Sequence, residues 1–322
     1  MNLFKYKIIL YIIYRLLKKM IYNILKKIST LITFASAYTA SYPVVLLHGV
    51  ASDASKMNTL GNWIQDTFQT KVFNIEIGNG VKTSMYTALP IQLDELCQTI
   101  YKNDELKEGF NFIGMSQGGL LARGYVERCN EYPVKNLITL VSPNGGTILK
   151  SIDLNMYTEF YQNHFSVSNY WRNPLKLKEY LKMCCYLPIL NNEIIINSIK
   201  DDDVYGKDNS YIDNDDDDDY VKSNDIANKQ REQLKTLENF VMVWSPNDGI
   251  VYPPESGKFS FYDEFYNVIA LENTDLYKTD ALGLKYLNEN NKLHIHHTNC
   301  THTQHRDPIC FDQLYPIFVY FL

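Results

Sequence analysis

No apolar run in this 322-residue chain reaches the roughly 18 to 20 uninterrupted residues of a membrane-spanning helix, because Lys18, Lys19, Lys26 and Lys27 break the one candidate near its start. A surplus of positive charge is missing too. Against 37 Asp and Glu stand 31 Lys and Arg, a net charge of −6, which argues against a phosphate-tracking surface and against nucleic acid as a partner. There is no CxxC pair, Cys184 and Cys185 are adjacent, and no histidines fall in an H-E-x-x-H pattern, so the usual ligand spacings of zinc are absent. No internal repeat is visible. Nor does any acidic side chain occur before Asp53, whereas Lys5, Lys7, Arg15, Lys18, Lys19, Lys26 and Lys27 all do. Without residues 1–37 the balance is 24 cations against 37 anions, or −13, so the body of the protein is strongly acidic.

What is present begins with that cationic, apolar leader. From Phe4 to Phe34 it reads as a targeting segment, and it ends in Ala35-Ser36-Ala37, the small-x-small pattern of a signal-peptidase site. Cleavage after Ala37 would leave 322 − 37 = 285 residues; retention as an anchor is the alternative, and membrane contact is expected only through this segment if it is kept. A start at Met20 would still leave a short basic region, an apolar stretch and the same site. Six cysteines, an even number, and the sequon Asn299-Cys300-Thr301 agree with entry into an oxidising compartment, with Asn299 as the glycan acceptor. Disulfides or buried free thiols are therefore favoured over metal ligation, and the lysosome and secretion both stay open as destinations.

With 45% hydrophobic and 13% aromatic residues, the remainder can bury a large core. From Pro43 onward, short β-rich runs alternate with amphipathic stretches, the pattern of helices crossing over a mainly parallel sheet. Strands are expected at Val44 to Leu47, Val72 to Ile75, Phe110 to Ile113, Leu137 to Val141 and Phe240 to Trp244. Helices are expected at Met57 to Phe68, Pro90 to Tyr101, Gly119 to Arg128 and Gln313 to Leu322. Between about residues 157 and 237 the periodicity weakens, and this stretch reads as an inserted cap. Inside it, residues 201–219 hold ten aspartates, too dense to pack in a core. They lack the spaced ligands and turn glycine of a calcium loop, so a solvated, disordered surface loop is expected.

The strongest local signal is Phe110-Asn111-Phe112-Ile113-Gly114-Met115-Ser116-Gln117-Gly118-Gly119, an apolar strand running through G-x-S-x-G into a helix. A serine on such a strained turn needs small neighbours so that strand and helix can approach, and the helix N-terminus adds partial positive charge at the reacting centre. The plain alternative is an ordinary βα turn closed by glycines. Val44-Val45-Leu46-Leu47-His48-Gly49-Val50 ends where α/β-hydrolases place the other half of the oxyanion hole, so the amides of Val50 and Gln117 are the expected donors. His48 precedes the nucleophile and is read as structural. The acid is expected at Asp248, on the Ser245-Pro246-Asn247-Asp248-Gly249 turn after a strand, with Asp263, Asp275 and Asp280 as spares. The base lies among His294, His296, His297, His302 and His305. Alternation over Leu293 to His296 suggests a strand, which leaves His302 or His305 in the following loop.

Together these residues resemble the palmitoyl-protein thioesterases, lysosomal α/β-hydrolases that remove long-chain acyl groups from S-acylated cysteines. The resemblance runs from about Pro43 to Leu322. Besides the elbow and the Val44-to-Gly49 strand, it rests on Tyr170-Trp171-Arg172-Asn173-Pro174, Phe240 to Val243, Asn247-Asp248, and Leu276-Tyr277 through Leu282-Gly283-Leu284-Lys285. It implies an α/β-hydrolase fold with a mainly parallel sheet, Ser116 as nucleophile, Asp248 as acid, Val50 and Gln117 as oxyanion donors, and a disulfide between Cys97 and Cys129. The family's Asp-His-Leu-Gln segment matches Cys300-Thr301-His302-Thr303-Gln304 best, without its aspartate and with extra residues following, which makes His302 the base and His305 the runner-up. The acidic loop is an insertion, and Val141-Ser142-Pro143-Asn144 departs from the family pattern. The implied chemistry is acyl transfer from a thioester through an acyl-enzyme, with S-palmitoylated proteins as partners and no metal or cofactor. The aromatic stretch Tyr157 to Leu190 would line an acyl groove or simply form core. The rivals are a secreted lipase or carboxylesterase acting on oxygen esters, and a non-catalytic lipid-binding protein of the same fold.

Overall fold

The structure, a computed structural model, describes residues 18–21, 41–148, 155–196 and 216–322. The chain divides into two units, Met1–Ser41 and Tyr42–Leu322. Of the first unit only residues 18–21, as helix, and Ser41 are described, so the expected targeting segment lies otherwise outside the described residues, as do 201–215 of the acidic run.

The second unit is built on a six-stranded, wholly parallel sheet of β1 (Val44–Leu47), β2 (Val72–Ile75), β3 (Phe110–Met115), β4 (Val134–Leu140), β5 (Asn239–Trp244) and β8 (Leu293–His297). Their spatial order is β2-β1-β3-β4-β5-β8. A short antiparallel pair, β6 (Phe261–Tyr262) and β7 (Val268–Ile269), stands apart. The helices are α1 (Asn58–Phe68), α2 (Val81–Tyr86), α3 (Leu89–Tyr101), α4 (Gln117–Arg128), α5 (Glu159–His164), α6 (Leu177–Met183), α7 (Leu187–Leu190), α8 (Asp216–Lys235), α9 (Asp275–Lys278), α10 (Leu284–Glu289) and α11 (Pro308–Phe318).

Why β1 reads as an unbroken Val-Val-Leu-Leu follows from what covers it. Val45 and Leu47 pack with Leu93 and Leu96 of α3 and Leu120 and Leu121 of α4, whereas Val44 and Leu46 pack with Leu60 and Ile64 of α1 and Leu314 and Phe318 of α11. Successive side chains point to opposite faces and both faces are covered by helices, so no polar alternation is tolerated. This is the α/β-hydrolase arrangement expected from the sequence. Trp63 and Phe311 stack between α1 and α11 with ring centroids 4.4 Å apart.

Several expected boundaries move. β3 runs on to Met115, and β4 begins at Val134 and stops before Val141, whose φ of 46° takes it out of extended backbone. The terminal helix occupies Pro308–Phe318, not Gln313 to Leu322, because Pro308 serves as its first turn. Asp216 to Asp219, expected in a disordered loop, fall within α8. Among the described residues, no helix is long and apolar enough to cross a membrane.

The sheet order places a topological switch between β1 and β3, since β2 lies on the far side of β1. In open parallel sheets the crevice for ligands lies there, at the carboxyl ends of the strands. Val50 follows β1, Ser116 follows β3, Asp248 follows β5 and His302 follows β8.

Candidate active site

Ser116 is held at φ 55° and ψ −127° between β3 and α4. A non-glycine residue in this region is strained, and the surroundings over-determine it. Its amide donates to Leu140 O at 2.8 Å, and its carbonyl accepts from Gly119 N at 2.9 Å. Small residues are required around it. A Cβ on Gly114 would meet Gly119 Cα at 2.5 Å, and one on Gly49 would meet Ser116 Cβ at 2.9 Å. The glycines of the elbow are thus there for close approach of strand, helix and the loop after β1.

His302 lies on the turn that follows β8. Its Nδ1 donates to Asp248 Oδ1 and Oδ2, at 2.9 and 2.8 Å, and its amide donates to Asp248 O at 3.0 Å. A carboxylate only accepts, so Nδ1 carries a proton and, in the neutral ring, Nε2 keeps its lone pair. Asp248 is 3% exposed, and Oδ1 also accepts the amides of Ile250 at 2.9 Å and Val251 at 2.7 Å. Those donors satisfy a buried carboxylate and fix its plane.

Ser116 and His302 line one cavity of about 310 Å³, together with Gly49, Val50, Ala51, Ser52, Met115, Ile250, Thr303 and Arg306. Val50 and Ser116 thus line the same cavity. Gln117 is the first residue of α4, so its amide has no acceptor within the helix. Its side chain is spent elsewhere: Nε2 donates to Ser84 O at 2.9 Å, and Oε1 accepts from Tyr170 at 3.1 Å.

The remaining histidines separate clearly. His305 is fully buried; Nδ1 faces the carbonyls of Thr301 and His302 at 3.0 and 3.2 Å, and Nε2 faces Thr298 Oγ1 at 2.8 Å. It braces the turn that carries His302 and does not line the cavity. Burial lowers its pKa from the ordinary 6.5. His294, His296 and His297 lie on edge strand β8. His48, read as structural, contacts Gly49 O through Nδ1 and Glu76 Oε1 through Nε2, both at 2.9 Å. Glu76 in turn accepts the amides of Ala54 at 2.8 Å and Ile77 at 3.1 Å, so the pair fastens the loop that bears Val50. Asp263 and Asp280 accept backbone amides of their own turns, and neither they nor Asp275 line the Ser116 cavity.

Cys97 and Cys129 form the disulfide implied by the resemblance. A second, Cys300–Cys310, joins two cysteines whose pairing the sequence leaves open. It closes a loop that contains His302, His305 and Arg306. Cys184 and Cys185 are free thiols, the former buried, and burial raises the pKa of both. Asn299 is exposed, with its amide bonded to Gln313 Oε1 at 2.7 Å. Of the tyrosines expected as groove or core, Tyr161 is half-buried, whereas Tyr157, Tyr170, Tyr180 and Tyr186 are buried, the last three bonded to Gln117, Glu193 and Leu120 O. Among the described residues, no group of three His, Cys, Asp or Glu could hold a metal ion.

Residues 43–302 match the family model for palmitoyl protein thioesterase. Palmitoyl-protein thioesterase 3 of Dictyostelium discoideum is 33% identical over 280 residues, covering 83% of this chain and 87% of that protein. Palmitoyl-protein thioesterase 1 of Caenorhabditis elegans is 26% identical, covering 83% of this chain and 88% of its own. A lysosomal thioesterase PPT2 homolog of Drosophila melanogaster is 30% identical, covering 81% and 88%. This chain belongs to the palmitoyl-protein thioesterase family.

Proposed function

We propose that this chain carries out thioester hydrolysis on S-palmitoylated proteins with Ser116 as nucleophile, His302 as general base and Asp248 as its orienting acid. The observation that supports the reading most is the cavity shared by the Ser116 hydroxyl and a His302 whose Nδ1 is held by Asp248. His302 Nε2 takes the Ser116 proton as Oγ attacks the thioester carbonyl, and Asp248 stabilises the imidazolium. The amides of Val50 and Gln117 receive the oxyanion, each worth about 3 kcal/mol in the transition state. The cysteine thiol, with an ordinary pKa near 8.5, leaves with the proton from His302. Water then attacks the acyl-enzyme, His302 accepts its proton, and the fatty acid departs as Ser116 is restored.

Affinity for a long chain comes from apolar burial. About fourteen methylenes at roughly 0.8 kcal/mol each give about 11 kcal/mol before entropic costs. The fruit-fly relative is named a lysosomal thioesterase; with the Ala35-Ser36-Ala37 site and the Asn299 sequon, that supports cleavage after Ala37, glycosylation at Asn299 and a lysosomal destination. Residues 38–322 then form the mature hydrolase domain, with the cap at about 157–237.

The test is palmitate release from an S-palmitoylated peptide by the mature protein and by Ser116→Ala, His302→Ala and His305→Ala. The wild type and His305→Ala are expected to release it, and the other two to lose activity by three orders of magnitude or more. Cleavage of short oxygen esters without palmitate release would replace this reading with an esterase.

A further inference from the structure

Within the Ser116 cavity, one lining residue carries a fixed charge, and it is a cation. Arg306 sits on the same short turn as His302, and its Nη1 donates to Ser52 Oγ at 3.3 Å. Ser52 is itself immobilised, since its amide and carbonyl bond to Ser84 Oγ at 3.4 and 3.0 Å. Arg306 is only half-buried, and among the described residues no carboxylate lies within 4.0 Å of its guanidinium. Among the described residues its guanidinium makes one hydrogen bond, that to Ser52, which leaves four of its five N–H groups without an acceptor there. In a body with net charge −13, an arginine left without an acid beside the nucleophile is unusual.

We propose that Arg306 is an anion subsite for the thiol half of the substrate, selecting S-acylated cysteines that have a carboxylate beside them in the peptide. The inference rests on the thioesterase reading above. Two halves of a thioester must leave the Ser116 carbonyl in different directions. A long acyl chain gains nothing against a guanidinium, whose water it would have to remove without replacing the hydrogen bonds. The chain therefore belongs away from the guanidinium and the peptide beside it, within the cavity that Ser116 and Arg306 share. A planar guanidinium with free N–H groups suits a carboxylate, through two parallel hydrogen bonds. Because the contact is partly exposed, it is worth a few-fold in rate rather than orders of magnitude.

The experiment uses S-palmitoylated peptides identical except for Asp, Asn or Lys next to the acylated cysteine. For the wild type at low salt, kcat/KM is expected in the order Asp, Asn, Lys, with Asp over Asn by about two- to fivefold, and the spread should narrow in high salt. Arg306→Gln should bring the Asp to Asn ratio to about one, Arg306→Lys should retain part of it, and Arg306→Glu should reverse the order of Asp and Lys. A flat series in an active wild type, or an undiminished Asp preference in Arg306→Gln, overturns the subsite and leaves the thioesterase reading standing. Failure of the wild type to release palmitate from all three peptides overturns the thioesterase reading instead. The wild-type ratio and its salt dependence decide the matter even where a variant fails to fold.

Discussion

Asp248 holds His302 by side chain and backbone at once: its carboxylate oxygens lie 2.9 and 2.8 Å from His302 Nδ1, and its carbonyl accepts the His302 amide at 3.0 Å. The two kinds of contact can be separated by substitution. In Asp248→Asn the carbonyl bond survives, and the Asn oxygen can still accept the amides of Ile250 and Val251. The amide nitrogen then faces Nδ1, which must become an acceptor, so Nε2 carries the proton and can no longer receive one from Ser116. Palmitoyl-thioester kcat/KM is expected to fall about 10⁴-fold with little change in melting temperature. A loss below tenfold in a folded protein would remove Asp248 from its assigned role.

Gly49 offers a second test, one aimed at backbone position. An added methyl would stand 2.9 Å from Ser116 Cβ and 3.2 Å from Met115 O. Relief requires the Gly49-Val50 segment to move away from the elbow, but the His48–Glu76 contact resists this from the other side. Gly49→Ala should therefore displace the Val50 amide and cost about 10² to 10³ in kcat, the value of one oxyanion donor. Active-site titration with a fluorophosphonate reports whether Ser116 still reacts; slow labelling with intact folding is the expected result.

The two disulfides should differ in what their removal does. Cys97–Cys129 joins α3 to the end of α4, whereas Cys300–Cys310 encloses the turn that carries His302 and ties it to α11. Each closed loop contributes about 2–4 kcal/mol, so either Cys-to-Ser pair should lower the melting temperature by several degrees. Activity per folded molecule should survive Cys97→Ser/Cys129→Ser and drop in Cys300→Ser/Cys310→Ser, as the His302 turn loosens. Equal kcat in the two double variants would show that the Cys300–Cys310 bridge is stabilising only.

Much of this was legible in the chain because it is local. The strand-turn-helix around Ser116 needs glycines at fixed positions, and β1 needs an unbroken apolar run. Both are printed in a few consecutive residues. The choice of His302 over His305 rests in the sequence on the family resemblance alone, since the two lie three positions apart on one turn and differ in what each ring meets across the fold. Asp248 is 54 positions from His302, and the Thr298 hydroxyl that faces His305 is recognisable only once the turn is built. Glu76, Ser52 and Arg306 gave no local signal at all. Ser52 and Arg306 are 254 positions apart, and a lone arginine reads as solvated surface until its missing partner can be seen. The tyrosines from Tyr157 to Tyr186 were ambiguous for the same reason, because groove and core require the same residue types.

His305 makes the fold pH-dependent in a definite direction. Carbonyls of Thr301 and His302 can only accept, so Nδ1 carries a proton and, in the neutral ring, Nε2 accepts from the Thr298 hydroxyl. Burial opposes a second proton and lowers the folded pKa below the ordinary 6.5. Below about pH 6.5 the unfolded chain therefore binds more protons at this site than the folded one, and stability falls with falling pH, by at most about 1.4 kcal/mol per unit for one proton. Above that pH the site makes no pH-dependent contribution. His305→Gln cannot protonate: it should start less stable at pH 7, having lost contacts under the His302 turn, yet lose less on going to pH 5. Urea midpoints of both proteins at the two pH values measure this directly. A drop as large in His305→Gln as in the wild type would assign the acid sensitivity to other groups.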